Sequence, residues 1–167
     1  MLARAGLDRL GRGAEITETL DPAVLLPAPA QGALAVECRT ADGVLLELLE
    51  GLDHPPTRAA VSAERALLST LEAGCSAPVA GLAEPAGAGQ LRLHGAVFSL
   101  DGHRTIRLTR TGPGAAPVEL GRRLAEELLG SGAQTLLAGP RPAGSRSAGP
   151  RSTQEAQLEH DSHDPNP

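Results

Sequence analysis

"QLRLHGAVFSLDGHRTIRLT", Gln90 to Thr109, is the stretch on which the fold turns. Leu91, Leu93 and Val97 fall on one side of a two-residue alternation, the period of a strand with one buried face. Ile106 and Leu108 repeat the pattern after Asp101-Gly102, a dipeptide that strongly favours a tight hairpin turn. An isolated hairpin is marginal in water, so neighbouring segments must supply a third strand and a cover. "APVAGLAE", Ala77 to Glu84, gives the strand signal, with Gly87 and Gly89 as its hairpin loop.

The cover lies on both sides of the strands. In "VELGRRLAEELLGSG", Leu120, Leu124 and Leu128 share one helical stripe that ends at Gly130 and Gly132. In "TRAAVSAERALLSTLEAG", the stripe is Ala60, Ala63, Leu67 and Leu71, widened by Val61 and Leu68, with Gly74 as its expected left-handed terminator. "DHPP" opens that helix, because proline is tolerated in a first turn. Before it, "GVLLELLEGL" sets Val44, Leu45, Leu48, Leu49 and Leu52 at helical spacing. The expected fold is α+β, a small three-stranded antiparallel sheet covered on one face by helices and preceded by fragments of α/β domains.

The ends read differently. Leu2, Leu7 and Leu10 suggest a short helix closing on Gly11 and Gly13, without a cap or a preceding element, as in the middle of a domain rather than its start. The apolar run Ala33 to Val36 reads as a buried strand entered from a proline-containing linker. Beyond Gly139 there is almost nothing to bury, and a disordered tail is expected. The division is therefore residues 1–40, incomplete pieces of two domains; 41–138, a C-terminal α+β domain; and 139–167, the tail.

Composition narrows the chemistry. Phe98 is the only aromatic residue among 167, so the core must be built from Leu, Val and Ala. All 15 basic residues are arginines, and the lack of lysine removes Schiff-base chemistry. A net charge of -5, with no arginine cluster beside a stacking surface, argues against a nucleic-acid partner but leaves anionic small molecules open. Cys38 and Cys75 have no metal-ligand spacing and form no disulfide framework, and no run reaches membrane-spanning length. A soluble cytoplasmic protein with no metal and no membrane partner is expected.

Cys75 stands out among the reactive groups. In "LEAGCSAPVAGL" it sits between a helix and a strand among small residues that leave the sulfur open to approach. A helix C-terminus disfavours a thiolate, so this is not an activated nucleophile, and a tethered group suits it better than turnover. A plain loop residue is the alternative. A Cys/His hydrolase using His54, His94 or His103 is the weakest reading, since their spacing matches no triad. A non-catalytic interaction domain with a free thiol also remains. Arg122 and Arg123 with Glu126 and Glu127 read as a solvated helix face of i,i+4 pairs. Glu64 and Arg65 are expected at the surface, with an interdomain ion pair as the alternative, and Gln31-Gly32 reads as a hinge, a backbone-approach site or an ordinary turn.

"LPAPAQGALAVECR" followed by "HPPTRAAVSAERALLSTLEAGCSAPVAGLAE" resembles the porphobilinogen deaminase (hydroxymethylbilane synthase) family. The resemblance runs from Leu2 to about Leu137 and includes the signature Ala63-Glu64-Arg65-Ala66 with Leu71 to Cys75, where Ala73 replaces the usual first glycine. It implies that Cys75 carries a dipyrromethane cofactor through a thioether. Loss of ammonia from porphobilinogen gives an electrophilic azafulvene, whose methylene carbon a soft sulfur captures without a strongly lowered pKa. It also implies a supporting, cofactor-side role for Gln31 and Gly32, a structural tie between domains for Glu64 and Arg65, and mere packing for Cys38.

The complete enzyme so implied is a cytoplasmic monomer of tetrapyrrole (heme) biosynthesis. It joins four porphobilinogen molecules into hydroxymethylbilane and releases ammonia. The family's acid/base aspartate has no counterpart in this sequence, so no catalytic residue is carried over. This chain is expected to be the C-terminal portion, inactive alone, either as a fragment of a longer protein or beside a complementing N-terminal chain.

Overall fold

A computed structural model describes residues 2–73 and 77–138. The elements are α1 (Arg4–Arg9), a 3-10 turn (Gly13–Glu15), α2 (Gly43–Glu50), α3 (Pro55–Thr70), β1 (Val79–Pro85), β2 (Gln90–Phe98), β3 (Thr105–Pro113), α4 (Pro117–Gly130) and α5 (Ala133–Leu137). The three strands form one antiparallel sheet in the order β1-β2-β3. The α+β expectation stands, with α5 added beyond the sequence reading.

The register explains which residues are buried. Leu93 lies opposite Ala83 on β1 and Arg110 on β3, and Val97 opposite Val79 and Ile106, so these side chains share one face. That face carries the core with Leu67, Leu71, Leu120, Leu124 and Leu128. Leu67, Leu93, Leu124 and Leu128 are 0% exposed, and each contributes about 1.5–3 kcal/mol by leaving water. The Asp101-Gly102 turn forms as expected. Gly102 takes φ +73°, and the Asp101 side chain pairs with the Ser99 hydroxyl and accepts from the His103 N–H, which holds its carboxyl below the ordinary range.

Two helices reach this face by different means. α3 begins with Pro55 and Pro56 in its first turn and buries Ala63, Glu64, Leu67 and then Leu71. α4 crosses it at Gly121, where a Cβ would come within 2.2 Å of the Ala63 carbonyl oxygen and 2.8 Å of the Leu67 nitrogen. Backbones touch there because a side chain is missing.

The end of α3 departs from expectation. Glu72 at φ +51° is the left-handed residue, and Gly74 lies outside the described residues. The Ala73 N–H donates to the Leu68 carbonyl at 3.2 Å and the Glu72 N–H to the Ser69 carbonyl at 3.1 Å, a Schellman closure. Since a Cβ in this conformation costs about 1 kcal/mol, Glu72→Gly is expected to raise the stability by about 0.5–1 kcal/mol, read as an increased urea midpoint. A lowered midpoint would mean that the Glu72 side chain contributes something the hydrogen bonds do not show.

The N-terminal third also differs. Ala33 to Val36 forms no strand, and Leu34 is 95% exposed. A strand needs a neighbour for its N–H and C=O groups, and no described segment lies beside this one to provide it. α2 forms with Asp42 capping the Leu45 N–H, but Val44, Leu48 and Leu52 are all about 70% exposed or more. Its apolar face is unpartnered among the described residues. The expected tail, residues 139–167, lies outside the described residues.

Candidate functional site

Cys75, the central site residue of the sequence reading, lies outside the described residues, as do Gly74 and Ser76. The two ends of that short connection are nonetheless well placed. Ala73 follows the Schellman closure of α3, Ala77 leads into β1, and both are half-buried against the main core. Next to Ala77, the Pro78 carbonyl accepts from the Phe98 N–H at 2.9 Å. The connection therefore spans two braced points, and its flanking side chains are methyl groups.

The strand register fixes what shares this end of the sheet. β1 starts at Val79, opposite Val97, and Phe98 is opposite Thr105 at the start of β3. The hairpin turn with His103 and Arg104 is thus at the same end as Ala77 and Pro78. His54 is at the opposite end of the 16-residue α3, about 24 Å along the axis, with its ring nitrogen against the Thr57 hydroxyl at 2.8 Å. His94 is on the sheet face away from the helices, bonded to Thr109 at 2.9 Å with Glu84 at 3.7 Å.

Gln31 and Gly32 are exposed, and a Cβ at Gly32 would meet nothing within 4 Å among the described residues. Gln31 instead closes a turn on the Ala28 carbonyl at 3.2 Å and borders an apolar cleft of about 790 Å³ lined by Leu7, Ile16, Leu20 and Leu25. The left-handed residue of this turn is its neighbour Ala30, at φ +63°.

Glu64 is the group whose position the residues alone misjudged. It is 5% exposed, not on the surface, and its carboxylate accepts from two backbone donors, the Ala30 N–H at 2.6 Å and the Ala83 N–H at 2.7 Å. β1 is an edge strand, and the second of these is one of its outward donors. The next outward donor, Gly81 N–H, is met by the Pro27 carbonyl at 2.9 Å. A signal existed in the sequence. Glu64 lies four residues after Ala60 and three before Leu67, on the apolar stripe itself. Arg65 is exposed as expected. Cys38 is half-buried and free.

The surface charges are mostly spent on each other. Arg122 and Arg123 both reach Glu119, whose carboxyl they hold down at about 2, and Arg122 also meets Glu126. Glu127 pairs with Arg110 of β3 instead of the Arg123 expected for it. Arg39, Arg65 and Arg104 are exposed and have no ion-pair partner among the described residues. Among the described residues no cluster of His, Cys, Asp and Glu could hold a metal ion, and no described helix is long and apolar enough to cross a membrane.

Comparison with known proteins adds two kinds of match. Residues 1–47 match the family model "Porphobilinogen deaminase, dipyromethane cofactor binding domain", and residues 58–130 match "Porphobilinogen deaminase, C-terminal domain". The porphobilinogen deaminase of Nocardia farcinica is 52% identical over 145 residues, covering 82% of this chain and 42% of the relative. That of Gloeobacter violaceus is 50% identical over 137 residues, covering 82% and 42%. That of Mycobacterium tuberculosis (strain H37Ra) is 51% identical over 149 residues, covering 84% and 48%. The chain spans under half the length of these curated relatives.

Proposed function

The chain belongs to the porphobilinogen deaminase family, and from that premise we propose that it is the cofactor-anchoring C-terminal part of a hydroxymethylbilane synthase. Cys75 is the attachment point of dipyrromethane, and Gln31 with Gly32 lies on the cofactor side. The complete enzyme would polymerise porphobilinogen in the cytoplasm. When bound, the cofactor supplies the end onto which each new pyrrole is joined.

The observation that carries this reading is the braced connection between Ala73 and Ala77. A tether must keep its root in place while its load lengthens. Ala73 and Ala77 on either side pack against the core, and the small residues that the sequence places between and beside them suit approach of an electrophilic methylene carbon to a thiol. Thioether formation there would join sulfur to that carbon, with the thiol proton passing to the azafulvene ring nitrogen, which becomes the pyrrole N–H.

The exposed apolar stripe Val44, Leu48 and Leu52, together with Leu34, is the surface that the remainder of the enzyme would cover. Polypeptide equivalent to the rest of a family member, in the same protein or as a complementing chain, fits it. This chain by itself is expected to form no hydroxymethylbilane.

Intact mass of the purified chain, from cells that make porphobilinogen, tests the reading beside Cys75→Ser. The expected result is a gain of two pyrrole units in the parent, absent from the variant, once an N-terminal family polypeptide is co-expressed. An unmodified parent under that co-expression would sink the anchor assignment in favour of an interaction domain with a free thiol.

A further inference from the structure

Two Asp-Gly pairs occur in the chain, Asp42-Gly43 and Asp101-Gly102. This dipeptide is open to attack by the backbone nitrogen on the side-chain carboxyl before it, because glycine puts no Cβ in the way. At Asp101 the surroundings add no steric protection. Asp101 and Gly102 are exposed, and a Cβ on Gly102 would meet nothing within 4 Å among the described residues.

Hydrogen bonds supply what bulk does not. Asp101 Oδ1 accepts from the Ser99 hydroxyl and from the His103 N–H at 3.0 Å. The Gly102 N–H, on the nitrogen that would attack, donates to the Ser99 carbonyl at 2.9 Å. Ser99 is thus bonded to both reacting groups, and it is itself held in place. It is 9% exposed, its N–H donates to the Arg104 carbonyl at 2.9 Å, and its hydroxyl oxygen accepts from the Arg104 N–H at 2.9 Å. The Ser99 hydroxyl, and after it the His103 N–H, also keeps the Asp101 carboxyl ionised by lowering its pKa, and an ionised carboxyl has no hydroxyl to lose as water.

Asp42-Gly43 lacks this arrangement. The Asp42 carboxylate accepts from one backbone donor, the Leu45 N–H at 3.2 Å, and the Gly43 N–H has no acceptor among the described residues.

We propose that Asp101-Gly102 is a latent isoaspartate site that Ser99 holds closed. The reaction held back loses one water and then regains one. With the carboxyl protonated, the Gly102 nitrogen bonds to Cγ of Asp101. The amide proton and the carboxyl hydroxyl leave together as water, and a cyclic imide remains. Water then opens the imide at either carbonyl. Breaking the bond from nitrogen to Cγ restores aspartate. Breaking the bond from nitrogen to the main-chain carbonyl carbon leaves the chain running through Cγ, so that isoaspartate lengthens the backbone by one carbon. That carbon would enter the turn joining β2 to β3, close to Phe98, whose N–H is held by the Pro78 carbonyl.

Peptide mapping of the full 167-residue chain after incubation in neutral buffer tests this, with electron-transfer fragmentation to tell isoaspartate from aspartate at each site. In native buffer isoaspartate is expected to accumulate at Asp101 at least about tenfold more slowly than at Asp42, and in unfolding urea the two rates are expected to converge. Ser99→Ala, its fold checked by far-UV circular dichroism, removes the donor to Oδ1 and is expected to speed Asp101 about tenfold with Asp42 unchanged. Ser99→Thr keeps a hydroxyl and is expected to restore the slow rate.

Equal rates at the two sites in native buffer would overturn the proposal. So would a folded Ser99→Ala that modifies Asp101 no faster than the parent. Should Ser99→Ala not fold, the ratio of the two sites in the parent, in buffer and in urea, still decides. Neither rate reports on Cys75, so the anchor reading stands or falls by its own test.

Discussion

Gly121→Ala is expected to destabilise the sheet-and-helix domain by about 3 kcal/mol, despite introducing a better helix former. Helix propensity alone favours alanine over glycine by about 1 kcal/mol. The new methyl group, however, would stand 2.2 Å from the Ala63 carbonyl oxygen, 2.7 Å from the Ala66 Cβ and 2.8 Å from the Leu67 nitrogen. Two of those atoms are backbone inside α3 and cannot swing aside. The helices must therefore separate, and that separation loosens Leu67, Leu124 and Leu128 together, the three leucines that close over the sheet at Gly95. For a domain of this size the loss corresponds to a fall in melting temperature of about 10–25 °C, followed by far-UV circular dichroism. A change within about 1 kcal/mol of the parent would show that α3 and α4 can slide apart without loss, against the packing described.

Glu64→Ala is the second large effect. It leaves the Ala30 and Ala83 N–H groups without their acceptor, next to a side chain that is 5% exposed. A hydrogen bond to a charged group contributes about 1.5–3 kcal/mol, and a buried donor left unpaired costs a similar amount, so a loss of about 3–5 kcal/mol is expected in urea unfolding. Glu64→Gln keeps one carbonyl oxygen and should fall between the variant and the parent. An alanine variant as stable as the parent would mean that water replaces the carboxylate at both donors.

These two residues also mark the limit of what sequence alone conveys. The hairpin and the helix stripes were legible because alternation at Leu91, Leu93 and Val97, and the four-residue spacing of Leu120, Leu124 and Leu128, express burial against partners present in the chain. The same logic misled at Ala33 to Val36 and at α2, where apolar pattern implied burial that no described segment supplies. Gly121 reads as a weak point of a helix until the crossing with α3 is seen. Glu64 was visible on the stripe, yet its purpose depends on the Ala30 and Ala83 N–H groups, which come from distant parts of the chain. Likewise Glu127 turned to Arg110 because β3 lies beside α4, which helical spacing cannot reveal. For Cys75 the sequence reading rested on resemblance, and the braced flanks are what the fold adds.

Phe98 packs against the small cluster of Leu26, Ala80 and Ala96, and it is the only phenylalanine in the chain. Biosynthetic incorporation of fluorophenylalanine would therefore place one fluorine nucleus in the protein, beside Leu26 on the sheet. Its spectrum would contain a single protein line, whose position reports the packing of Leu26 on the sheet directly. With no tryptophan or tyrosine, the polypeptide is also nearly transparent at 280 nm, so a pyrrole chromophore attached to it would be seen against a dark background.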